Sequence, residues 1–156
     1  MCLENTKIKE QINNLLPNYP NKRTALLDVL WLIQKQEGYI SEGYVKLISD
    51  LLEIPCSEIS GIISFYTMLS KKPLGKYHIQ ACMGICCKLK GAEIILNHVK
   101  NRLEINEGET SKDGLFHLSL VECLGSCGTS PMVQINDDFY EDLNEDKLDK
   151  ILDLLK

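Results

Sequence analysis

The sequence predicts an α+β protein: an N-terminal helical bundle followed by an α/β domain built on a small sheet. Three observations carry this. Apolar residues recur at helical spacing up to about residue 66. The run Lys71-Lys72-Pro73-Leu74-Gly75 then interrupts the pattern, and after it alternating strand-like segments and helical segments take turns. Cysteine is concentrated in that second half, in two glycine-bearing segments. The expected division is therefore a bundle over 1–74 and an α/β domain over 75–156.

The elements follow in order. Ile8, Ile12, Leu15 and Leu16 share one helical face, and Pro17 and Pro20 end that segment. A second helix is expected from about Lys22 to Glu37, with Leu26, Leu27, Leu30 and Ile33 on one side and Gly38 closing it. Ser41 is placed to cap a third helix carrying Tyr44, Leu47, Ile48 and Leu51. Pro55 opens a fourth, with Ile59, Ile62, Ile63 and Tyr66 on its buried face. Past the boundary, Tyr77, Ile79 and Ala81 alternate with polar residues as in a strand. Lys88 to Leu103 reads as a helix with Ile94, Ile95 and Val99 inward, and Leu115 to Val121 as a strand. Met132 to Ile135 and Phe139-Tyr140 flank the turn Asn136-Asp137-Asp138 as a hairpin, and Leu143 to Lys156 closes the chain as a helix. This order, strand, helix, three strands, helix, is a thioredoxin-like layout.

Composition narrows the function. The 156 residues are 44% hydrophobic and 25% charged, ordinary for a globular protein, with a net charge of −5. That balance argues against nucleic acid as a partner. No apolar run reaches bilayer length, and Met1-Cys2-Leu3-Glu4-Asn5 lacks a signal-peptide core, so a cytoplasmic protein without membrane insertion is expected. Seven cysteines cannot all pair within one chain, and cytosolic thiols stay reduced, so metal or redox chemistry is the better reading.

Cys82 and Cys87 are separated by four residues, Cys123 and Cys127 by three. Two thiol pairs on short loops suit a [2Fe–2S] cluster, in which each iron takes two thiolates. Both pairs are expected just after strands, the first leading into the helix near Lys88, whose N-terminus and nearby Lys88 and Lys90 would face an anionic core. Gly84, Gly125 and Gly128 are expected to allow close backbone approach and positive φ. Zinc also accepts four thiolates, but its structural loops are usually tighter. A C-x-x-C redox motif and a compact [4Fe–4S] run are both absent, and His78, His98 and His117 fall outside the cysteine loops, which disfavours a Rieske centre. Cys56 reads as a buried small hydrophobe and Cys2 as a mobile terminal thiol. Spacing leaves Cys86 and Cys87 both able to ligate.

These residues together resemble a known family. Ile59-Ser60-Gly61-Ile62-Ile63-Ser64-Phe65-Tyr66, Lys72-Pro73-Leu74-Gly75-Lys76-Tyr77, the Cys82–Cys87 loop and Cys123-Leu124-Gly125-Ser126-Cys127-Gly128-Thr129-Ser130-Pro131 are similar to the small [2Fe–2S] subunit of NADH:quinone oxidoreductase (complex I). Related subunits occur in NAD-linked formate dehydrogenases and hydrogenases, electron-bifurcating ones included. The resemblance implies a thioredoxin-like [2Fe–2S] ferredoxin domain with Cys82, Cys87, Cys123 and Cys127 as ligands and Cys86 as a spare thiol. It also implies a partner flavoprotein that binds FMN and NAD(H), further iron–sulfur subunits, and N-terminal helices that help dock them, with Trp31, Tyr39 and Tyr44 as interface candidates. Neither G-x-G-x-x-G after a strand nor a P-loop is present, so FMN and NAD(H) are expected on the partner, not here. The sequence departs from the family at Cys86 and Ser130. The acidic positions Asp137, Asp138, Glu141, Asp142, Glu145 and Asp146 read as a solvated face. Two rival functions are an iron–sulfur DNA-binding sensor, with helices near 41–52 and 55–66 but almost no basic residues on the second, and a zinc-stabilised adaptor.

Overall fold

A computed structural model describes residues 2–155, with side chains from Lys7 onward, so the Cys2 thiol lies outside the described residues. The chain forms two compact units, Met1–Pro73 and Leu74–Lys156.

The first unit holds α1 (Cys2–Leu15), α2 (Leu26–Glu37), α3 (Glu42–Leu52) and α4 (Cys56–Phe65). Pro17 cannot continue α1 and sits instead in a 3-10 turn, Leu16–Asn18. A second 3-10 turn, Lys22–Ala25, precedes α2, so the expected 22–37 helix is shorter. Asn21 initiates that turn by accepting the Thr24 N–H at 3.0 Å. Gly38 ends α2 at φ 77°, a conformation that costs glycine nothing. Ser41 occupies the cap position of α3, yet its side chain makes no capping bond; its carbonyl accepts from Tyr44 and Val45.

One apolar core fills this unit, with Ile8, Ile12, Leu30, Ile33, Ile48 and Ile59 essentially sealed from solvent. Burying each such side chain contributes about 1.5–3 kcal/mol. Trp31 and Tyr44 pack partly buried against it. Two expectations fail. Leu27 is 38% exposed and Val29 takes the inward place, because α2 starts at Leu26 and turns its stripe toward 26, 29, 30 and 33. Cys56 is exposed because it is the first residue of α4, one turn before the buried Ile59. After α4 the chain is tied back: Gln34 accepts the Ser70 N–H at 2.9 Å, and Ile40 donates to the Ser70 carbonyl at 2.7 Å.

The second unit contains β1 (Tyr77–Cys82), α5 (Ile85–Leu89), α6 (Ala92–Leu103), β2 (Phe116–Val121), β3 (Val133–Ile135), β4 (Asp138–Tyr140) and α7 (Glu145–Leu154). The sheet order is β2-β1-β3-β4. β1 and β2 run parallel from Tyr77↔Phe116 to Cys82↔Val121, whereas β3 is antiparallel to β1 and to β4. The hairpin turn is only Asn136-Asp137, since Asp138 already pairs with Ile135; Asn136 takes φ 54°, as a tight hairpin requires. Ile79, Phe116, Leu118, Val133, Ile95, Val99, Leu148 and Leu152 form the core.

Three further expectations are corrected. The helix expected over 88–103 is two helices, broken where Gly91 adopts φ 96°. Because α6 restarts at Ala92, its buried stripe is 92, 95, 96 and 99, which leaves Ile94 60% exposed. β1 does not alternate in burial: Gln80 is only 5% exposed, as a central strand with a neighbour on each edge is shielded. The closing helix begins at Glu145, capped by Asn144, which accepts the Lys147 N–H at 2.8 Å. The six acidic positions from Asp137 to Asp146 are exposed.

Candidate metal centre

The in-register parallel pairing of β1 and β2 brings their C-terminal ends together, with Cys82 beside Val121. Open α/β sheets gather ligand groups at such ends. Cys82 is the last residue of β1 and 3% exposed. The Met83 N–H then donates to the Val121 carbonyl at 2.8 Å, which holds the two exits in contact past the ladder.

Gly84 caps α5. A Cβ there would stand 2.8 Å from the Glu122 carbonyl oxygen and 3.6 Å from the Cys123 Cβ. Only glycine lets the two loops close this tightly. The thiol segment thus enters the short helix Ile85–Leu89 itself, and not a helix starting near Lys88. Cys87 is buried at 3% exposure, and Cys86 is half-buried. Cys82 and Cys87 form a small apolar cluster with Ala92 and Met132.

The second pair is held differently. Cys123 and Cys127 are exposed. Gly125 takes φ 83° and points its N–H at the Cys123 sulfur, 3.4 Å away. Cys127 opens a 3-10 turn, Cys127–Thr129, whose carbonyls and hydroxyls are satisfied nearby. Ser130 Oγ donates to the Cys127 carbonyl at 2.8 Å, Lys90 Nζ reaches the Gly128 carbonyl at 3.4 Å, and Thr129 Oγ1 donates to Glu141 at 2.7 Å. The Ser130–Pro131 peptide is cis. Gly128 has neither a positive φ nor a close neighbour, so its expected role is not seen.

Cys82, Cys86, Cys87, Cys123 and Cys127 line one cavity of about 140 Å³. Burial, and then the Cys82 thiol, pushes the Cys87 thiol up to about 11. The adjacent Cys86 thiol is the largest cause of a raised Cys127, with Cys123 contributing less. Crowded thiols resist becoming several neighbouring anions unless a cation neutralises them, and a bound metal ionises such thiols outright. Four cysteine thiolates are the usual ligand set of a [2Fe–2S] cluster. Among the described residues no group of three or more His, Cys, Asp or Glu closes around a single ion; the thiols ring a cavity instead. Cys86 joins the lining, as its spacing allows, whereas nothing in the spacing foretells that Met132 packs with Cys82 and Cys87.

The histidines lie elsewhere. His78 and His117 are register partners on β1 and β2 with ring centroids 5.3 Å apart, bonded to Ser119 and Thr110. His98 pairs with Asp149.

Residues 12–156 match the model of the thioredoxin-like [2Fe–2S] ferredoxin family. The E subunit of NADH-quinone oxidoreductase from Rickettsia prowazekii (strain Madrid E) is 42% identical over 142 residues, covering 89% of this chain and 80% of the relative. The E subunit (form 2) of NADH-quinone oxidoreductase from Rhizobium meliloti (strain 1021) is 34% identical over 146 residues, covering 94% and 87%. Among solved structures, an NAD+-reducing [NiFe]-hydrogenase in its air-oxidised state shares the fold with a TM-score of 0.72 at 20% identity, over 84% of this chain and 22% of that one. A [2Fe–2S] cluster is accordingly the cofactor, and the cavity at the strand ends, with Cys82, Cys86, Cys87, Cys123 and Cys127 in its lining, fits it. The chain belongs to the thioredoxin-like [2Fe–2S] ferredoxin family.

Proposed function

We propose that Cys82, Cys87, Cys123 and Cys127 hold the cluster, and that the chain is the electron-transfer subunit of an NAD(H)-dependent oxidoreductase. The observation that carries this is the single cavity where thiols from both strand-end loops meet. When bound, the cluster supplies one-electron chemistry. The residues divide the remaining work. Cys82 and Cys87, packed with Ala92 and Met132, keep water from the inner side. Cys123 and Cys127 present the outer side to the surface, where electrons can be exchanged with a partner. Gly125, through its N–H, adds a donor to the Cys123 sulfur, and such donors tune a cluster's potential.

The partner in this reading is a flavoprotein subunit that carries FMN and NAD(H), accompanied by further iron–sulfur subunits, in a complex I-like, hydrogenase or formate dehydrogenase assembly. Its support is the identity to E subunits of NADH-quinone oxidoreductases over about nine-tenths of the chain. The Met1–Pro73 unit serves as a helical docking domain and the Leu74–Lys156 unit as the ferredoxin domain. Among the described residues no helix is long and apolar enough to cross a membrane, which is compatible with a cytoplasmic assembly held by protein contacts. Anaerobic affinity purification from the native host tests the reading. A co-purifying flavoprotein that oxidises NADH and reduces this chain's cluster is the expected result. Recovery of the chain alone, or with DNA, would overturn it.

A further inference from the structure

Lys90 touches both cysteine segments. It follows α5 directly, and its backbone N–H donates to the carbonyls of Cys86 and Cys87 at 3.2 and 3.1 Å, closing the helix that carries Cys87. Its ammonium reaches across to the Gly128 carbonyl at 3.4 Å, one residue past Cys127. The same seam continues beyond this bond, where Lys90 and Gly91 share the wall of a surface cleft with Pro131. A neutral donor would satisfy the Gly128 carbonyl equally well. What the ammonium adds is a positive charge beside the turn of an exposed thiol. Among the described residues Lys90 forms no ion pair, so no carboxylate cancels that charge. Glu145, in the same cleft, pairs with His98, and Glu141 accepts from the Thr129 hydroxyl, one residue further from Cys127.

We propose that Lys90 is a positioning residue that fastens the Cys127 turn to α5, and that its ammonium raises the reduction potential of the cluster. This rests on the reading in which Cys87 and Cys127 are ligands. One electron, delivered by the flavin of the proposed partner or by dithionite, adds one negative charge to the site, and no bond forms or breaks. A cation fixed beside that site favours the reduced form. Lys90 is exposed, so the effect is partial and salt screens it.

The test is an anaerobic spectroelectrochemical titration of the cluster-loaded full chain, at low salt and again at about 1 M salt, where charges are screened beyond about 3 Å. At low salt, Lys90→Gln should lower the reduced-to-oxidised ratio at the parent's midpoint about three- to tenfold, which is about 30–60 mV for one electron. Lys90→Arg, which keeps the charge, should stay within about twofold of the parent. So should Lys112→Gln, which removes a charge ahead of β2, at the end of the strand away from Val121. At high salt the gap between Lys90→Gln and the parent should close to about twofold or less. No gap at low salt, a gap that salt leaves unchanged, or one that Lys90→Arg fails to close would overturn the proposal. If Lys90→Gln takes up no iron, loading decides: recovery in Lys90→Arg supports the fastening role, and failure of both variants overturns it. A parent without two irons and two sulfides per chain, or Cys127→Ser with an unchanged EPR signal, strikes the ligand reading and this inference with it. An unchanged potential in loaded Lys90→Gln strikes this inference alone.

Discussion

The two thiol pairs share a cavity but are built by different means. Cys82 and Cys87 are fixed by the hydrophobic core, each 3% exposed among Ala92 and Met132. Cys123 and Cys127 are fixed by hydrogen-bonded turns at the surface, through Gly125, Ser130, Lys90 and Thr129. The inner pair is thereby shielded from water and the outer pair open to it. One site gains a stable anchor and an accessible edge, which is what a surface electron carrier needs.

That contrast can be broken directly. The largest effect is expected for Cys82→Ser and Cys87→Ser, which put a hydroxyl in the sealed side and should abolish the cluster's visible absorption and EPR signal. Cys123→Ser and Cys127→Ser should leave a shifted signal, since solvent reaches this side and satisfies the introduced hydroxyl. Equal loss in all four would erase the distinction between the pairs.

Gly84→Ala comes next. Its Cβ would meet the Glu122 carbonyl at 2.8 Å, and backbone cannot yield as a side chain does. Prying the loops apart should lower the unfolding free energy of the loaded protein by about 1–3 kcal/mol, read as a lower denaturation midpoint, and reduce iron content. An unchanged midpoint would mean the two loops do not depend on this contact.

A smaller effect concerns the sheet that carries both pairs. Burial, and then the charge of His117, lowers His78 to about 4; burial also lowers His117. Burial thus favours the neutral form of both imidazoles in the folded chain. Above about pH 6.5 neither the folded nor the unfolded chain protonates His78, and its contribution to stability is complete. As pH falls toward about 4 the unfolded chain takes the proton and the folded one does not, so stability declines, by about 3 kcal/mol at most. Denaturation of cluster-free protein across this window should show the decline, flattened in His78→Asn. The smallest effect is Ser130→Ala, which removes the bond to the Cys127 carbonyl and should cost about 1 kcal/mol while leaving the cluster spectrum nearly intact.

The sequence disclosed what periodicity and spacing encode. The α2 stop at Gly38, the strands around Ile79 and Leu118, the hairpin beyond Met132 and the meeting of two cysteine segments all follow from local chemistry. It did not disclose what depends on where a helix restarts. Gly91 breaks one expected helix into two, and the new start at Ala92 turns Ile94 outward. Cys56 stands exposed for a related reason, at the first residue of α4. Gln80 is buried by strand neighbours that no local pattern announces. Spacing treats Cys86 and Cys87 alike, and only the short helix that begins at Ile85 separates a buried Cys87 from a half-buried Cys86.

All of this depends on the paired cysteines caging a di-iron centre. Elemental analysis with EPR of anaerobically purified protein, compared between Cys86→Ser and Cys87→Ser, tests it most directly. The expected result is two irons and two inorganic sulfides per chain in the parent and in Cys86→Ser, and loss of both in Cys87→Ser. One zinc without sulfide in the parent, or loss of iron in Cys86→Ser with retention in Cys87→Ser, would contradict it.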